Sequence, residues 1–105
     1  MSNNVSPGEI FQAEFEAWIG QDFKISVSED ESLTLRLEEV QPSPYRSMNR
    51  SNGEGPYSLL LSGPEDRYFK QATVPLQLPD GRTCGLFAVN NGPRDGRMYY
   101  QIVFN

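Results

Sequence analysis

The chain has 105 residues, with nine Lys and Arg against fourteen Asp and Glu, a net charge of −5, one Cys and no His. The absence of His excludes a Ser-His-Asp triad, a Cys-His pair and a His-ligated metal. A lone Cys excludes an internal disulfide and a Cys-rich zinc site. The acidic balance argues against non-specific nucleic-acid binding, which needs a positive face.

One domain spanning residues 1–105 is expected at this length. No apolar run approaches the roughly 20 residues that a membrane span needs. The first residues lack the charged and apolar regions of a signal peptide, so we expect a cytoplasmic protein without membrane contact.

An amphipathic helix is predicted over residues 7–19. The sequence Ser6-Pro7-Gly8-Glu9 is typical of a capping box, in which Glu9 reaches back to Ser6. Apolar side chains then recur at the spacing of one helical face: Phe11, Phe15, Trp18 and Ile19. Gly20 suits the left-handed position that ends a helix.

Two-residue alternation of apolar and polar side chains replaces the helical period after Gly20. It predicts six strands, at residues 22–28, 33–40, 57–62, 73–78, 84–89 and 97–104. The alternation changes phase at Glu38-Glu39-Val40, which indicates a β-bulge. Pro75 favours a position at a sheet edge.

Two segments between these strands are rich in turn-forming residues. Residues 41–56 form a long predicted loop of the kind that often carries function. Asn90 to Gly96 is predicted to be another loop.

The fold class is therefore mainly β. Six short strands with short connections favour an antiparallel small barrel or sandwich. The N-terminal amphipathic helix is expected to pack on it and to cover one end or face.

The charges are distributed unevenly along the chain. Residues 1–39 hold nine acidic and two basic residues, whereas residues 40–105 hold five acidic and seven basic ones. Six of those seven are Arg in predicted loops, and Arg, Tyr and Met are enriched at protein interfaces. The interface candidates are Tyr45, Arg46, Met48, Arg50, Arg94 and Arg97. Solvated surface charge is the competing interpretation.

Other chemistry has weaker support. Glu29-Asp30-Glu31 and Glu38-Glu39 match no calcium loop, so solvated charge is favoured over a metal site. Cys84 is expected to be a small buried hydrophobe rather than a nucleophile. No catalytic residue, metal or cofactor is predicted.

The order of residues resembles a family of small bacterial proteins known only as domain of unknown function 6916. The motifs that carry the resemblance are Ile19-Gly20-Gln21-Asp22-Phe23, Leu33-x-Leu35-x-Leu37-x-Glu39-Val40, Pro56-Tyr57-Ser58-Leu59-Leu60-Leu61-Ser62-Gly63-Pro64, Gly85-Leu86-Phe87-x-Val89 and Tyr99-Tyr100-Gln101-Ile102-Val103-Phe104. The resemblance covers nearly the whole chain. It implies a small β-rich domain without established activity, an accessory to a larger assembly such as a phage-tail-like system.

The function best supported by the sequence is a non-enzymatic protein-interaction or assembly domain, with another protein or a second copy of the chain as partner. The alternative is a small-ligand binder that uses the barrel interior or the crevice under the helix. A histidine-independent enzyme ranks last.

Overall fold

The alternating segments form a β-barrel that is closed by pairing between its last two strands along the chain. The computed structural model describes residues 4–6, 9–26, 31–42 and 56–104. In these ranges lie one helix, α1 (Gln12–Ala17), and seven strands: β1 (Asn4–Val5), β2 (Asp22–Ser26), β3 (Ser32–Pro42), β4 (Tyr57–Pro64), β5 (Gln71–Gln77), β6 (Thr83–Arg94) and β7 (Arg97–Phe104).

Six of these strands close the barrel. Their order is β6–β5–β2–β3–β4–β7, and β7 pairs again with β6. All six pairings are antiparallel. The prediction of a mainly β, six-stranded antiparallel fold is confirmed, with a barrel rather than an open sandwich. Closure pairs strand edges that an open sheet would leave exposed.

The sequence analysis did not predict β1. This two-residue strand lies parallel to the start of β6, where Asn4 is opposite Thr83 and Val5 is opposite Cys84. Two residues are too few to show an alternating pattern.

Every second side chain of the barrel strands points into a continuous apolar core. On β7 the buried residues are Met98, Tyr100, Ile102 and Phe104. The predicted bulge is confirmed, since the register between β3 and β4 shifts between Leu37 and Glu39. The shift returns Val40 to the core side, where it is partly buried against the cluster.

Pro75 lies at a position where β5 pairs with only one neighbouring strand, β6. β5 pairs with β2 only at Leu76 and Gln77, whereas Pro75 is opposite Gly85 of β6. The strand is therefore internal to the barrel, but Pro75 lies just past its contact with β2. A missing N–H is tolerated at such a position.

The helix is shorter than predicted. Glu9 does reach back to Ser6, because its carboxylate accepts from the N–H and the hydroxyl of Ser6. The Glu9 N–H donates to the Ser6 carbonyl and not to its hydroxyl, so the predicted capping box is only half formed. A second carboxylate, that of Glu14, accepts from the Phe11 N–H at 2.9 Å, and α1 begins only after that residue. Phe11 therefore lies at the N-cap of α1 and is 44% exposed. It was predicted to belong to the buried apolar face of the helix, and that prediction was wrong.

Aromatic side chains attach α1 to one end of the barrel. Phe15 is fully buried, with its ring centroid 5.5 Å from that of Phe104 and 6.2 Å from that of Tyr57. Gly20 has φ +89°, so the predicted left-handed residue after the helix is confirmed. The expected cover over one end of the barrel is thus formed by Phe15 and the partly buried Trp18.

None of the helical segments in the described part of the chain has the length and apolar character that crossing a bilayer requires.

Candidate functional site

The loop predicted at residues 90–96 is the end of the hairpin formed by β6 and β7. The prediction was wrong for residues 90–94, which continue β6, and only Asp95 and Gly96 form a turn. β6 continues to Arg94 across a register shift between Asn90 and Gly92. The Asn90 side chain holds this bulge, because its Oδ1 accepts from the Gly92 N–H at 2.6 Å and its Nδ2 donates to the Phe69 carbonyl at 2.8 Å. Gly92 has φ +95°, which a side chain would strain.

A two-residue turn, Asp95-Gly96, ends the hairpin. Both residues have positive φ, 54° and 81°, as a type I′ turn requires. This geometry places Arg94 and Arg97 directly opposite each other as the last strand pair. Like charges at directly opposite positions destabilise a hairpin. Within the described residues, neither arginine forms a salt bridge with a carboxylate.

Arg97 is fixed in place by Ser62 on β4. Its Nε donates to the Ser62 hydroxyl at 2.8 Å, and its Nη2 donates to the Ser62 carbonyl at 2.9 Å. Ser62 is fully buried and its hydroxyl donates in turn to the Glu38 carboxylate. These bonds satisfy a buried polar side chain and hold the guanidinium in one orientation.

Glu38 is the residue skipped in the β3 bulge, and it joins a second arginine to this network. Arg36 Nη2 lies 2.7 Å from Glu38 Oε2. The hydrogen bond from Ser62 and the nearby guanidinium groups of Arg36 and Arg97 hold the pKa of the Glu38 carboxyl below its ordinary value. Glu38 therefore stays ionised at neutral pH and orients Ser62 toward Arg97.

Arg94 is held by an aromatic ring instead of by hydrogen bonds. Its guanidinium carbon lies 4.6 Å from the centroid of Tyr99, a distance typical of a cation–π contact. Tyr99 is the cross-strand partner of Ser62. Arg94 contacts Tyr99, and Arg97 bonds to Ser62, which is opposite Tyr99 on the neighbouring strand. Both arginines therefore lie against the same part of the barrel's outer surface.

We call this surface the arginine face; it consists of Arg36, Glu38, Ser62, Arg94, Arg97 and Tyr99.

A groove of about 300 Å³ continues the arginine face. Its walls include Arg94 and Tyr99, and Leu60 supplies apolar surface. Amide side chains also line it: Gln41, Asn91 and Gln101. The groove lies outside the barrel, whose interior is filled by the buried apolar cluster. The mixture of guanidinium, amide and aromatic groups suits a polar ligand that carries negative charge.

The structure tests only part of the predicted interface. Tyr45, Arg46, Met48 and Arg50 lie outside the described residues. Arg94 and Arg97 are brought together as a cross-strand pair. Arg94 ends β6 and does not lie in the predicted loop, whereas Arg97 begins β7, as the strand predicted at 97–104 does.

Two other arginines from predicted loops have carboxylate partners. Arg82 Nη2 lies 2.8 Å from Glu14 of α1, and Arg82 Nε lies 2.7 Å from Asp80. Arg67 pairs with Glu31 at 3.1 Å between exposed side chains. Arg82 therefore links the helix to the barrel, and Arg67 is a surface cation that is already neutralised.

The other residues considered in the sequence were Cys84, as a nucleophile, and the acidic clusters, as metal ligands. Cys84 is buried, and burial, with a smaller contribution from Glu9, raises the pKa of its thiol. The thiolate that a nucleophile needs is thereby disfavoured. Of the acidic pairs, Glu29 and Asp30 lie outside the described residues. Within the described ranges, no group of three or more Cys, Asp or Glu is placed to hold a metal.

Arg36, Ser62 and Tyr99 were not predicted as site residues. Glu38 was predicted to be solvated charge at a bulge, with a metal ligand as the disfavoured alternative. Ser62 follows three leucines and precedes Gly63-Pro64, so it resembled a strand end. The bulge predicted at Glu38 was the available signal, because bulges redirect side chains beside functional sites.

One of three comparisons with known proteins gives a match. A family model described as "Domain of unknown function (DUF6916)" matches residues 10–104, which include α1 and all six barrel strands. No curated protein matches the chain. No solved structure matches it either. Since the family model covers nearly the whole sequence, the chain belongs to the DUF6916 family.

Proposed function

We propose that this chain is a non-enzymatic interaction domain that binds another protein through the arginine face. The observation that supports the proposal is the arrangement of Arg94 and Arg97. They are opposite each other, and each is held by a side chain that carries no charge itself, Tyr99 for Arg94 and Ser62 for Arg97.

Such an arrangement costs folding stability and favours binding. Opposed like charges weaken the hairpin, whereas a partner that brings a carboxylate relieves the repulsion. Because Ser62 and Tyr99 already restrict the two side chains, less conformational entropy is lost when a partner binds. Assembly with a phage-tail-like system stays a prediction from the family resemblance.

The test is an affinity capture from cells that express the chain naturally. The bait proteins are the unchanged chain, an Arg94→Glu variant and a matched Arg67→Glu variant. The contact of Arg94 with the described residues is the ring of Tyr99, and Arg94 donates no hydrogen bond to them. We therefore expect the barrel to stay folded when Arg94 is replaced, and thermal unfolding of the variant checks this. Arg67 is an exposed arginine whose loss changes the net charge equally.

We expect at least one protein that the unchanged chain and the Arg67→Glu variant recover equally and the Arg94→Glu variant does not. Identical recovery by all three baits contradicts the proposal.

A further inference from the structure

Arg94 and Arg97 retain guanidinium hydrogen-bond donors that no described residue uses. An arginine has five N–H donors. Arg97 uses its Nε and one Nη2 donor on Ser62, and Arg94 donates to no residue in the described ranges. Two restrained arginines with remaining donors match the planar oxygen pair of a carboxylate or phosphate.

The groove beside them has the chemistry of a peptide-binding surface. Gln41, Asn91 and Gln101 each carry one amide that both donates and accepts, as a peptide backbone does. None of these three amides forms a hydrogen bond with another described residue. Leu60 offers an apolar contact between them. An extended segment could therefore place its backbone along the amides and an acidic side chain at Arg94.

The charge of the whole chain distinguishes an acidic peptide from a polyanion. A net charge of −5 repels nucleic acids and anionic membranes at long range. A short acidic segment carries few charges, so this long-range repulsion is weaker for it than for a polyanion and is screened further by salt.

We infer that the arginine face binds an extended acidic segment of a protein partner, with a side-chain carboxylate at Arg94 and Arg97 and the backbone along the amide-lined groove. The inference rests on the proposed function and specifies the chemistry of the partner.

The test uses defined probes and the full chain. A labelled short peptide of alternating Glu and Ser is compared, by fluorescence anisotropy, with the same peptide carrying Gln for Glu and with a labelled single-stranded oligonucleotide. The proteins are the unchanged chain, Arg94→Gln, Tyr99→Leu and the control Arg67→Gln. Tyr99→Leu removes the ring that holds Arg94 and keeps the charge.

The inference predicts that only the Glu peptide binds and that Arg94→Gln weakens its binding about tenfold, the effect of one lost charge-assisted contact. Tyr99→Leu should weaken it less, and Arg67→Gln should leave it unchanged.

Equal binding of the Glu and Gln peptides overturns the inference, as does equal weakening by Arg67→Gln or tighter binding of the oligonucleotide. If the Glu peptide does not bind but a protein is captured from cells in an Arg94-dependent way, the acidic-segment inference is wrong and the proposed function stands. If the peptide does not bind and no protein is captured in an Arg94-dependent way, the inference and the proposed function are both wrong.

Discussion

Arg94 and Arg97 lie directly opposite each other beside the Asp95-Gly96 turn, and no carboxylate of a described residue forms a salt bridge with either. Tyr99 supports one guanidinium and Ser62 supports the other. Folding therefore places the two guanidinium groups opposite each other, and Glu38 is joined to Arg97 only through Ser62.

This relationship predicts the relative stability of two variants at Arg94. Both Arg94→Glu and Arg94→Gln lose the contact with Tyr99, but only Glu gains an opposite charge facing Arg97. We expect Arg94→Glu to be more stable than Arg94→Gln by about 0.5 kcal/mol, a typical value for a cross-strand charge pair. Urea unfolding measures the difference, which should decrease in high salt. Equal stabilities at low salt would show that the side chains at these two positions do not interact.

Arg82 is predicted to stabilise the contact between α1 and the barrel. It bonds to Glu14 and Asp80, and its guanidinium carbon lies 6.0 Å from the ring centroid of Trp18. Because the groups are partly exposed, Arg82→Gln should lower the free energy of unfolding by only about 1 kcal/mol. The emission of Trp18, the single tryptophan in the sequence, should shift to longer wavelength as the helix loosens.

The control for this experiment is Arg67→Gln, since the pair of Arg67 with Glu31 is mostly exposed. It should change stability by less than about 0.5 kcal/mol and leave the Trp18 spectrum unchanged. An equal loss in both variants would assign the effect to net charge instead of to the helix contact.

Glu38 should make stability depend on pH in a defined direction. Its pKa is lowered in the folded chain by the Ser62 hydrogen bond and by Arg36 and Arg97. The stabilisation is therefore present above the ordinary carboxyl range and is lost as pH falls through the lowered pKa. At pH 7, Glu38→Gln should cost about 1 kcal/mol, and the difference from the unchanged chain should shrink toward pH 3. A difference that is constant over this range contradicts the assigned ion network.

Gly63 is predicted to be required because of close packing. A Cβ at Gly63 would lie 2.5 Å from a terminal methyl carbon of Leu35, which is fully buried and cannot move without repacking the core. Gly63→Ala should cost about 1–2 kcal/mol, as overpacked cores do. Gly85→Ala is the matched control, because nothing lies within 4 Å of its added Cβ. Thermal unfolding of both variants tests the prediction, and equal midpoints would contradict it.

The sequence determined the barrel strands because their alternation is local. Phe23, Leu35 and Tyr100 each follow the predicted two-residue period and are fully buried. The bulge at Glu38 could also be predicted, because the apolar–polar alternation of β3 changes phase there and this change is visible in the sequence.

The arginine face could not be predicted in the same way, because it depends on cross-strand register. Ser62 meets Tyr99 and Arg97 only when β4 and β7 are aligned, and no periodic signal specifies that alignment. The segment from Asn90 to Arg94 contains residues that favour turns, yet pairing with β7 keeps it in a strand. Tertiary pairing outweighed local propensity there.

Binding of an acidic segment at the arginine face is tested most directly by a ¹⁵N–¹H chemical-shift titration of the full chain with the Glu-Ser peptide. We expect shifts concentrated at the backbone amides of Arg94, Arg97, Tyr99 and Gln101, with those of α1 unchanged. Shifts that cluster at α1, or that are absent from the β6–β7 hairpin while the peptide is bound, would contradict it.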